Sequence, residues 1–92
     1  IDYHGCVSGR AHRYLAAGKP SDEIVEQAIQ TCSNQFERLS AGILDAFEAA
    51  AGASAISQIF ATEKANAEIA RNSQQARREA ALIASEAVEA TP

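Results

Sequence analysis

Two cysteines, Cys6 and Cys32, flank a helix-breaking loop, Gly18-Lys19-Pro20. Each lies about twelve residues from the loop centre. A helix rises ~1.5 Å per residue, so helical flanks put both thiols at about the same height above the turn. An antiparallel hairpin then meets one condition for a disulfide, Cα atoms within roughly 7 Å; the Cβ vectors must also converge. The same register sets Tyr14 near Ile24, Val7 and Arg10 near Ala28 and Thr31, and Tyr3 near Gln35 and Phe36. Closing such a loop stabilises by roughly 3 kcal/mol. A Cys6–Cys32 disulfide is the expected state. A metal site on the same residues, or two buried free thiols, are the alternatives.

The chain has 92 residues, enough for one domain over 1–92 with a lean core. Ala dominates, while Trp and Met are absent and Gly and Pro are scarce. This composition favours helix almost everywhere. The net charge is −4 with acids and bases interspersed, which argues against a nucleic-acid partner. Arg71, Arg77 and Arg78 form a local basic patch, but Glu68 and Glu79 bracket it, as on a solvated helix face. No stretch reaches the ~18 apolar residues of a transmembrane helix. The sequence starts at Ile1 without Met, as a processed chain would. Paired cysteines in so small a chain point to an oxidising compartment, and a periplasmic or extracellular location is expected.

Three helices are expected, at about 3–17, 22–51 and 55–90. In the first, Tyr3, Val7, Ala11 and Tyr14 share one face. Gly18 suits its C-cap, and Pro20 cannot continue it. Ser21 reads as the next N-cap, with Asp22 and Glu23 in the first turn. The second helix carries a heptad stripe, Val25, Ile29, Cys32, Phe36, Leu39, Ile43, Ala46 and Ala50, flanked by Ala28 and Phe47. Such a seam suits an intramolecular bundle or a coiled-coil dimer. Gly52 and Ser54 mark the next boundary, although Gly within an Ala run can stay helical. The third helix opens apolar at Ile56, Ile59 and Phe60, then thins to a stripe of Ala61, Ala65, Ile69, Ala76, Ala80, Ile83 and Ala87. Leu82 and Val88 restore bulk near its end. Folding back about Gly52 yields an all-α, three-helix up-down-up bundle extended from a disulfide-clipped hairpin.

Candidate chemistry is sparse. His4, Cys6, His12 and Cys32 are metal-binding types, but His4 and Cys6 point to nearly opposite sides of a helix. His4 and His12 lie about 12 Å apart along it. Without a CxxC or HExxH motif, no metal or other cofactor is expected. A dyad of Cys6 with His4 or His12 lacks an orienting group, and a disulfide would remove its nucleophile. Glu63 with Glu68, or Glu86 with Glu89, read as solvated carboxylates on an Ala-rich helix. The expectation is no enzyme.

The run from Ser21 to Ala28, leading to Cys32 with Cys6 one hairpin upstream, resembles a pattern in small exported bacterial helical proteins of unknown function. In that pattern a Cys precedes an Ala-rich helix, then a Ser/Pro-Asp/Glu cap, then an AxxxC step, here Ala28 to Cys32. The resemblance covers residues 3–44 and implies export and a disulfide, but no activity. The reading is a non-catalytic structural or interaction module. It associates through its long helices, as a homodimer or with another envelope protein, using Phe60, Ile69, Leu82 and Ile83. A small-ligand or metal-binding periplasmic protein using the Tyr3/His4/Tyr14 end is the alternative.

Overall fold

The computed structural model describes residues 2–89, and the side chains of residues 2–87. Among them there are four helices and no strand: α1 (Tyr3–Ala16), α2 (Ser21–Thr31), α3 (Ser33–Ala51) and α4 (Ala55–Glu89). The Val88 side chain and a helix end at Ala90 lie outside the described residues.

Helix α1 starts because the Asp2 carboxylate accepts the Gly5 N–H at 2.7 Å, satisfying one of the orphan donors of the first turn. It stops in a Schellman arrangement. Gly18 adopts φ +79°, its N–H bonds the Leu15 carbonyl, and the Lys19 N–H bonds that of Tyr14. Pro20, not Ser21, then precedes α2 as the capping position, and no side chain caps this helix. Ser21 is its first residue. The fixed φ of Pro supplies the extended entry (φ −61°, ψ 148°) that a Ser cap would otherwise adopt.

The hairpin of α1 and α2 is closed as a Cys6–Cys32 disulfide, with the Cα atoms 5.9 Å apart. Tyr14 does not stop at the level of Ile24: its hydroxyl hydrogen-bonds Thr31 at 3.0 Å, two turns further along α2. Helical side chains lean toward their own N-terminus, and in an antiparallel neighbour that direction leads to later residues.

The single helix expected over 22–51 is divided at Cys32 (φ −97°, ψ 17°). The ladder is bent rather than lost, since Cys32 N–H still reaches the Ala28 carbonyl and Phe36 N–H that of Cys32. The bend falls within Thr31-Cys32-Ser33-Asn34, four weak helix formers in a row, at the residue tethered to α1.

Helix α4 packs against all three others. The main core joins Tyr3, Val7 and Ala11 of α1, Ile24 and Ala28 of α2, Cys32, and Ala76, Ala80 and Ala84 of α4. Its α2 face is Ile24, Ala28 and Cys32, rotated by one residue from the expected Val25-Ile29 line, which is half-buried. Ala at every α4 position lets that helix come close but buries little area per residue. Beyond α1 the chain continues as α3 beside α4. Ala61 and Ala65 are buried there, yet no residue of α3 is. Ala46 and Ala50, expected in the seam, are exposed. The molecule is accordingly long, 59 × 19 × 14 Å.

Candidate interaction surface

The turn into α4 sets the one large apolar patch among the described residues. Gly52 takes φ +74°, a region where a side chain would strain the backbone, and Ser54 Oγ accepts the Ser57 N–H. The Gln58 side-chain amide donates to the Gly52 carbonyl, and at 3.4 Å to that of Glu48. With the first turns so fixed, Ala61 faces α3 and is buried. Ile56 and Ile59 lie on the opposite side, with Phe60 between them and Ala61; the three, at i, i+3 and i+4, are 68%, 61% and 57% exposed. Phe60 also lines an open groove of about 510 Å³, together with Phe47, Ala50, Ala51, Ser57, Ala61 and Lys64.

Of the residues expected to carry an interaction, Phe60 belongs to this patch. Leu82 is exposed (66%) but 22 residues further along the same helix, about 33 Å away. Ile69 is half-buried, and Ile83 packs against the core. The four positions therefore do not form one surface. Ile56 and Ile59 were visible in the sequence as apolar residues; their orientation follows only once Ala61 is known to face α3.

The Tyr3/His4/Tyr14 end is engaged internally. Tyr3 is buried, its ring 5.0 Å from that of Phe36 and 5.6 Å from that of His4. His4 Nε2 lies 2.8 Å from Asn72 Oδ1. Because the Asn72 amide nitrogen donates to the Glu68 carbonyl, Oδ1 is the acceptor and Nε2–H the donor. His4 Nδ1 is buried without a hydrogen-bond partner among the described residues. Tyr14 holds Thr31, with the Lys19 ammonium 5.5 Å from its ring centre. His12 is exposed. Among the described residues no three His, Cys, Asp or Glu side chains gather around a common point as metal ligands would. Arg77 pairs with Glu26 at 2.8 Å and Arg71 with Glu68, all at the surface, where such pairs contribute little.

No protein family model, curated protein or solved structure matches this chain. No described helix is long and apolar enough to cross a membrane.

Burial raises the Tyr3 phenol above its ordinary 10.0, opposed by the Arg77 charge and a hydrogen bond with Ser73. An unfolded chain would ionise this group first. Its contribution to stability is therefore complete below about pH 10 and is lost as pH rises from there through the folded value. Urea midpoints taken at about pH 8 and about pH 11 should fall less in Tyr3→Phe than in the parent chain. Equal alkaline losses would assign the slope to other groups.

Proposed function

We propose that this chain is a non-catalytic interaction module of an exported protein, with a disulfide-tied head that carries the α3/α4 hairpin out to a partner. The reading takes the chain as an up-down-up bundle, a course supported by the Glu26–Arg77 pair and the Tyr3–Phe36 contact. Export is supported by the closed disulfide, a bond that persists in oxidising compartments. The observation that carries the interaction is the Ile56-Ile59-Phe60 patch. Three large apolar side chains on one outward face expose on the order of 300–400 Å², a size that in monomeric proteins commonly marks a contact site.

A surface kept for a partner contributes nothing to the monomer's own packing. In dilute solution Ile59→Glu should leave the urea midpoint within about 0.5 kcal/mol of the parent. It should also reduce the fluorescence of an apolar dye such as anilinonaphthalene sulfonate bound to the native protein. A loss of stability above about 1 kcal/mol would show that the patch is part of the fold, and the reading would fail.

A further inference from the structure

We infer that the groove between the end of α3 and the start of α4 binds a small amphiphile, a medium-chain alkyl carboxylate with its tail along Phe47 and Phe60 and its headgroup at Lys64. The inference does not rest on the outward face, because Ile56 and Ile59 are not in the groove lining.

Three observations carry it. The first is the construction of the groove. Phe47, Ala50 and Ala51 stand at i, i+3 and i+4 on α3, and Ser57, Phe60, Ala61 and Lys64 at i, i+3, i+4 and i+7 on α4, so each helix contributes one stripe. The space, about 510 Å³, lies within the ~300–1,000 Å³ of small-molecule sites. Two aromatic rings and three alanine methyls make up most of its wall, so an occupant gains chiefly by burying apolar surface. The second is the order of the groups. Lys64 is the α4 lining residue farthest from the Gly52 turn, about 10 Å along the helix axis from Ser57. An ammonium at one end of an apolar stretch matches a molecule with one tail and one anionic headgroup. The third is charge. Among the described residues no acidic side chain lines the groove, although the chain carries a net charge of −4. Glu68, at i+4 from Lys64, is engaged by Arg71 instead. Lys64 therefore forms no ion pair among the described residues and is available to a ligand. A cation in an otherwise apolar lining selects an anion over a neutral or cationic amphiphile.

Isothermal titration calorimetry of decanoate, kept below its micellar concentration, into the full oxidised chain at low ionic strength tests the inference. Binding should saturate at one molecule per chain. Lys64→Gln should weaken it about fivefold, the upper range for a solvent-exposed ion pair. Decanol should bind the parent about as weakly as decanoate binds this variant. Ala50→Leu fills the groove from an exposed position and should weaken decanoate binding at least about tenfold with the melting temperature unchanged. Ile59→Ser should leave the affinity as it is. Absence of saturable binding would overturn the inference, as would equal affinities for decanoate and decanol, or an unaltered affinity in Ala50→Leu. Loss of binding in Ile59→Ser would put the amphiphile on the outward face and overturn the assignment to the groove.

Discussion

Replacing both cysteines by alanine should lower the stability of this protein by about 3.5 kcal/mol, the loop-closure contribution of a bridge spanning 26 residues. A domain of this size has only ~5–14 kcal/mol in total, so the loss is a large fraction of it. The effect should be concentrated in α1. That helix has 14 residues, contains Gly5 and Gly9, and contributes only three fully buried side chains. Isolated helices of this length are marginal in water. Alanine is the suitable replacement because Cys32 is completely buried and a serine hydroxyl would add an unpaired polar group there. Urea denaturation followed by circular dichroism measures the change. A midpoint within experimental error of the oxidised parent would show that helix packing alone holds α1 and that the disulfide is dispensable to the head.

The second large effect concerns Ile24, the bulkiest of the completely buried side chains. Ile24→Ala should cost about 3 kcal/mol, from lost transfer free energy and the cavity left behind. Ala11, Ala28, Ala80 and Ala84 of the same core are short, and their backbones are fixed in helices. The same substitution at Ile56 should change stability by no more than about 0.5 kcal/mol, because that residue is already in solvent. The comparison is informative as a pair. Similar costs at both positions would mean that burial in the head does not govern stability.

Much of the head was legible in the sequence. The paired heights of Cys6 and Cys32 follow from helix rise alone, and Gly18 and Pro20 punctuate the chain where the backbone turns. The Ala stripe of α4 was legible for a similar reason: small residues at helical spacing have no other use in a core. The bend at Cys32 was not. Apolar spacing runs through Ala28, Cys32 and Phe36 without interruption, and periodicity registers a face, not a change of direction. Ile24 lay outside the heptad stripe, and only the hairpin register turned it toward α1; a heptad count assumes one partner, whereas α2 packs against both α1 and α4 and buries a wider arc. The seam at Ala46 and Ala50 was over-read for the opposite reason. The heptad continues past the point where α1 ends, so its last two turns lack a third helix to bury them. The interaction residues divided along the same line. Phe60 was identifiable as bulk at the start of a helix, but Ile83 belongs to the core, and only the packing of α4 separates the two.

The uneven placement of buried residues also has a dynamic consequence. Local opening of a helix requires only the loss of the contacts that segment makes, so its frequency follows local burial. In α1, α2 and the 76–84 stretch of α4, opening means pulling apart the shared core and unfolding the whole molecule. In the last turns of α3 and the first turns of α4, few buried contacts and exposed backbone leave little to oppose brief fraying. Amide protons of the head should therefore be retained on the timescale of global unfolding, while those around Gly52 exchange through small excursions. The protein is rigid where it is tied and compliant around the turn at Gly52.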